Sequence, residues 1–196
     1  MRDAGEDRRV GPAQLPGDRP ARTLTSEEIN VMESMATTSY LPALSEPHER
    51  DGVGQELANV LQDLVSLALT GKQLHWMCVG RLAHSLHLQL DELVESWRTL
   101  ADTVAERAVA LGHMVNGQAD AVAAGSELTS VAPAAIEDHL VIHEMTRRVA
   151  STAERIRGRL RPIGELDPVS QEVLIDVVRE LEKQQWLLRV QVRGTG

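Results

Sequence analysis

Residues 72–112 read KQLHWMCVGRLAHSLHLQLDELVESWRTLADTVAERAVALG, and the rest of the chain is organised around this stretch. It holds the end of one amphipathic helix, a short connection closed by Gly80, and a long helix from about Ala83 to Leu111. Leu86, Leu90, Leu93, Trp97, Leu100, Val104, Ala108 and Leu111 recur at spacings of three and four, the mark of a bundle helix packed on others. At about 100° of rotation per residue from His87, Asp91 lies at about 40°, Asp102 at about 60° and Glu106 at about 100°, so all four project from one stripe. The stripe has two halves, because the rise from Asp91 to Asp102 is about 16 Å. Metal–ligand bonds are about 2 Å long, so no single ion reaches both halves within one straight helix. Two copies of the helix packed antiparallel about a twofold axis would bring the Asp102 and Glu106 half of one against the His87 and Asp91 half of the other. Two identical sites then form across one isologous interface, so the spacing by itself predicts an oligomer.

His75, near the end of the first helix, completes a set of two imidazoles and three carboxylates with His87, Asp91, Asp102 and Glu106. Such a set suits iron, zinc or manganese, while the absence of thiolates argues against a structural zinc site. It also leaves coordination positions open for water or an oxidant, which suits reactive iron.

The run LysGlnLeuHisTrp (72–76), Gly80, LeuHis (86–87), Asp91 and AspThrValAlaGluArgAlaValAlaLeuGly (102–112) resembles the ferroxidase motif of the Dps family, the mini-ferritins of the ferritin-like superfamily. The family spacing is two histidines twelve apart, an acid four further on, another eleven beyond, and a glutamate four later; all five positions match. The resemblance extends, more weakly, from about Gly54 to about Val192, and GluLysGlnGlnTrp (182–186) is similar to the family's last helix. It implies a hollow dodecamer in which ferrous iron is oxidised at a di-iron or mono-iron site shared by twofold-related subunits, with hydrogen peroxide or oxygen as oxidant. It also implies storage of ferric oxyhydroxide and protection from oxidative stress. By the same resemblance Trp76 and Trp186 lie near the iron site, and Asp138 aligns with acids that line a threefold pore. Met77, Cys78 and Leu82 stand where the family usually differs, which bears on pocket lining rather than on the ligands.

The remainder of the chain fits an all-α, ferritin-like four-helix bundle over residues 53–193, behind an extended N-terminal tail over 1–52. Aromatics are 2% of the chain and Phe is absent, so the core must come from Leu, Val, Ala and Ile, which favours helices. The first bundle helix is expected from about Gly54 to Val79, on Leu57, Leu61, Leu64, Leu67 and Leu74. After Gly112 the connection to Pro133 is too long for a simple hairpin, so it crosses the bundle, with a short helix around Ala119–Ala124. The third long helix is expected from Pro133 or Ala134 to about Leu160 on Ile136, Leu140, Ile142, Val149, Ala153 and Ile156, broken by Pro162 and Gly164. Asp167 as N-cap and Pro168 at the first helical position open the fourth, on Val173, Val177, Leu181 and Leu188. In the tail, five of the eight prolines precede residue 48, and Thr25 to Met35 reads as a short helix capped by Thr25 or Ser26.

Cys78 is the single cysteine, which excludes an intrachain disulfide framework and fits a reducing compartment. No apolar run is long enough to span a membrane, so the expected address is the cytoplasm, with nucleoid association as the alternative. A net charge of −9 suits cation storage. Residues 1–50 carry six arginines, no lysine and nine acids, so DNA binding through this tail is expected to be weak or absent. The i, i+4 pair His139 and His143 reads as a solvated face. A classical ferritin needs Glu-x-x-His motifs, and none occurs. The remaining alternative is a DNA-binding or structural nucleoid shell with little ferroxidase activity.

Overall fold

In the computed structural model, which describes residues 25–30 and 47–192, the apolar spacings of residues 47–192 become five helices joined mostly by short connections. Helix α1 spans Pro47–Met77, α2 Ala83–Ala110, the short α3 Ala119–Gly125, α4 Asp138–Leu166 and α5 Pro168–Val192. Two-residue strands, β1 (Cys78–Val79) and β2 (Ile136–Glu137), pair in parallel with Cys78 opposite Ile136. Helix α1 packs along α2 and α4 along α5, and contacts of α1 with α4 and of α2 with α5 join the two pairs. Leu57, Leu64, Leu67, Leu74, Leu90, Trp97, Met145, Ile156, Leu181 and Leu188 are buried between them.

Helix α1 begins at Pro47 rather than at about Gly54. Val53 is buried one turn before Leu57, so the apolar stripe extends backward, and a proline is well suited to the first helical position. Its other end stops at Met77, because Cys78 and Val79 leave the helix to pair with β2. That bridge joins residues far apart in sequence and carries no local signal. At the end of α2, Gly112 adopts φ +83°, its N–H donates to Val109 O at 2.8 Å and the His113 N–H to Ala108 O at 3.0 Å. This pair of bonds closes the helix by a Schellman motif.

Helix α4 departs from expectation at both ends. It starts at Asp138, and Leu140 is exposed while Val141 takes the buried position. Pro162 lies inside the helix instead of ending it. A proline there removes one N–H bond and crowds the preceding turn, a cost of about 3 kcal/mol. Both Pro162 and Gly158, whose carbonyl loses that partner, face solvent, so water can satisfy it. Ile163 beyond it is buried, and Asp167 N–H bonds Ile163 O at 2.7 Å, which holds the last turn on the core. Asp167 alone separates α4 from α5 and caps the latter by accepting Val169 N–H at 3.2 Å.

Polar pairs with at least one buried partner set the register of these helices. The Asp63 carboxylate on α1 accepts Arg155 Nε and Nη2 from α4 at 3.2 and 3.0 Å. Arg107 on α2 donates to Asp167 at 2.6 Å and to Ser170 Oγ at 2.9 Å. Trp97 Nε1 donates to Gln184 Oε1 on α5 at 2.7 Å.

Residues 25–30 lie in a unit separate from the bundle. There Thr25 N–H bonds Glu28 Oε2 at 2.9 Å and Glu28 N–H bonds Thr25 Oγ1 at 3.2 Å, a capping box ahead of helical residues 26–30. The expected continuation to Met35 and the proline-rich remainder of the tail lie outside the described residues.

Candidate metal centre

His75 lies in the last turn of α1 and His87 in the first turns of α2, and the short connection folds the two rings onto each other. They stack with centroids 3.4 Å apart and planes inclined by 26°. Each ring bonds the other residue's backbone: His75 Nδ1 lies 3.0 Å from His87 O, and His87 Nδ1 lies 3.1 Å from His75 O. A carbonyl only accepts, so each Nδ1 carries its proton and each Nε2 keeps its lone pair. The reciprocal bonds thus select the tautomer a metal requires, and His87 also serves one of the carbonyls that a helix end leaves without a partner.

Asp91, one turn beyond His87, completes a group whose ligating atoms all lie within 4.8 Å of one another. His75 is buried, and that burial holds its pKa below the usual value, so the ring is neutral at physiological pH. Asp91 Oδ1 lies 3.2 Å from His75 Nδ1 and accepts Lys72 Nζ at 2.6 Å. The hydrogen bond from Lys72 holds the Asp91 carboxyl below the ordinary carboxylate range. The same ammonium lies 3.4 Å from His75 Nε2 and 5.9 Å from the centre of the Trp76 ring. It bridges a ring nitrogen and a carboxylate oxygen, where a dication held by those two atoms would sit. Lys72 was not among the residues singled out from sequence. Its signal was the i, i+3 spacing to His75, which puts the two on one face.

Asp102 and Glu106 stand further along α2, exposed, and the fold does not bring them to the other three. Asp102 lies on the rim of a largely apolar depression of about 380 Å³ lined by Leu61, Val65, Ala68, Leu69 and Ala101. Trp76 is exposed beside Lys72, and Trp186 is half-exposed on α5; the tryptophan that fills the core is Trp97. Asp138 is buried at the start of α4, where its two oxygens accept Leu82 N–H and His139 N–H, each at 2.7 Å. Burial raises the pKa of the partly covered Cys78 thiol, with Asp138 and Glu137 adding to the shift.

A family profile described as Ferritin-like domain matches residues 54–195. The DNA protection during starvation protein of Mycolicibacterium smegmatis is 32% identical over 82% of this chain and 87% of its own length. The chain belongs to the Dps family of ferritin-like proteins. DNA protection during starvation protein 2 of Deinococcus radiodurans is 33% identical over 82% of this chain, which spans 65% of that relative's length. A solved structure of Mycobacterium smegmatis Dps superimposes with a TM-score of 0.75 at 29% identity, covering 82% of this chain and 91% of that one. The ferritin-like bundle expected from the sequence is therefore the fold of this Dps chain.

The arginine-rich part of the Dps chain's α4 is committed to neighbouring acids. Arg147 and Arg148 pair with Glu144, Arg155 with Asp63, Arg157 with Glu182, Arg159 with Glu56 and Arg161 with Glu165. Five acids thus serve these six arginines, with Glu144 shared by Arg147 and Arg148. Among the described residues no helix is long and apolar enough to cross a membrane.

Proposed function

We propose that this protein is an iron-storing and detoxifying mini-ferritin that oxidises ferrous iron at sites completed by a second copy of the chain. The observation that carries the proposal is the stacked pair His75 and His87, each with an unprotonated Nε2 that can ligate a metal, beside Asp91 and without the second half of the ligand set. Asp102 and Glu106 lie on the same helix, Asp102 on the rim of an apolar depression, with Leu69 and Leu88 also exposed. An antiparallel copy would cover that surface and deliver its two carboxylates to the histidine half. Closed assembly of such pairs gives a hollow oligomer, a dodecamer as in the family the chain belongs to.

In this reading iron is the substrate. Ferrous ion displaces the Lys72 ammonium, takes the two Nε2 lone pairs and the carboxylates, and the anionic ligands favour the ferric product. Two ferrous ions give one electron each to one peroxide; its O–O bond breaks with both oxygens reduced, so no hydroxyl radical leaves. With two waters the products are two ferric oxyhydroxide units and four protons, and the mineral collects in the shell. Trp76 and Trp186 are assigned to the surroundings of the site. Asp138 has both oxygens engaged by backbone N–H groups, which favours a role at the α1–α2 joint over one in a pore. The acidic partners of the α4 arginines support the reading that DNA binding is weak, which favours the mini-ferritin over the nucleoid-shell alternative.

Stopped-flow absorbance tests the reading, with peroxide and oxygen added separately to ferrous-loaded protein. The wild type is expected to oxidise iron rapidly with peroxide, and Asp102→Ala/Glu106→Ala to fall to the buffer rate with its assembly intact by sizing. Equal rates in both proteins would refute it.

A further inference from the structure

The connection between α1 and α2 holds the two histidines in register, yet it is anchored by a residue from the far half of the chain. Gly80 sits at φ +121°, and a Cβ there would stand 2.5 Å from Asp138 Oδ2. That oxygen accepts the N–H of Leu82, the residue that opens α2, at 2.7 Å. No side chain of the N-cap residue caps this helix start, and the N–H of that residue is instead held by a carboxylate 56 residues away. Immediately before Gly80, Cys78 and Val79 pair with Ile136 and Glu137, the two residues that precede Asp138. The turn is thus clamped on both sides by the start of α4, and Asp138 is buried in doing so. His75 lies three residues before β1 and His87 five residues after Leu82, so a shift in this turn moves one ring against the other.

We propose that Asp138 is a positioning residue of the metal centre: through Gly80 and Leu82 it fixes the α1–α2 turn and hence the spacing of His75 and His87. The proposal rests on the reading of that pair as metal ligands. It predicts that removing the clamp disturbs metal affinity and ligand geometry at equilibrium, whereas a pore role would change only the rate of iron entry.

The test is titration of the assembled full chain with Co²⁺, with no oxidant added, followed by its visible ligand-field bands. Asp138→Ala is expected to bind about ten-fold more weakly and with an altered band pattern, the size usual for outer partners of metal ligands. Asp138→Asn keeps an oxygen for Leu82 N–H and is expected to recover most of the affinity. Gly80→Ala drives a methyl into the carboxylate and is expected to reproduce the loss, so the proposal is still tested if Asp138→Ala fails to fold. Wild-type affinity and bands in Asp138→Ala or, failing that, in Gly80→Ala overturn it, as does a variant that only takes up metal more slowly. A wild type that binds no Co²⁺ is a different result, since it removes the metal-site reading itself.

Discussion

If each site takes its histidines from one copy and its distal acids from another, two dead variants must rescue each other. One variant is His75→Ala/His87→Ala and the other Asp102→Ala/Glu106→Ala. Either one alone breaks every site, because each site then lacks one half. A mixed pair has one site lacking both halves and one site wholly wild type. Random pairing at equal expression makes half of the pairs mixed, and each restores one of two sites, so about a quarter of wild-type sites return. The geometry excludes the same outcome within a chain, since the rise from Asp91 to Asp102 on straight α2 is about 16 Å. The assay is co-expression of the two variants with distinct tags, tandem purification, then peroxide-dependent ferrous oxidation per assembled oligomer. Selection for both tags removes only the pure oligomers, so the expected rate stays near a quarter. A co-assembled sample with no activity would refute the shared site, and so would an acid-half variant active by itself.

Removing Asp167 tests the α4–α5 corner. Burial alone would raise its pKa, but hydrogen bonds from Arg107, Ser170 and Val169 N–H, with the Arg107 charge, hold it below the ordinary range. A depressed folded-state pKa gives stability that is present above the unfolded value of about 3.9 and lost as pH falls through the folded value. Asp167→Ala is expected to cost about 3 kcal/mol at neutral pH by leaving the partly buried Arg107 without its buried partner. In circular-dichroism melts the gap from wild type should close as pH drops below 4; a gap independent of pH would contradict the assignment. Lys72→Ala is expected to bind Co²⁺ more tightly at the histidine half, because no tethered cation has to leave; unchanged binding in the titration would show that the ammonium does not compete. In gel shifts at stated salt the protein is expected to leave duplex DNA unretarded, and retardation that weakens steeply with salt would reveal a basic surface the ion pairs do not account for.

The helices and the ligand stripe were legible in the sequence for one reason: both are periodic, and periodicity is local. Leu86, Leu90, Leu93 and Trp97 marked the buried face of α2, and the four-residue steps from His87 to Asp91 and from Asp102 to Glu106 marked its second stripe. The two-histidine spacing was visible too, since a glycine-closed turn lies between His75 and His87. Local rules failed where tertiary contacts outweighed them. Pro162 stays helical because Ile163 and Asp167 hold the following turn, and Cys78 and Val79 leave α1 because residues 136–137 offer them partners. The sequence by itself determined which residues share a face and that their two halves lie too far apart for one ion. Only the tertiary structure decided that His75 and His87 lock each other's tautomers, that Lys72 stands among the ligands, and that Asp138 serves the turn between them. Those are contacts between separate segments, and no spacing along a single helix encodes them.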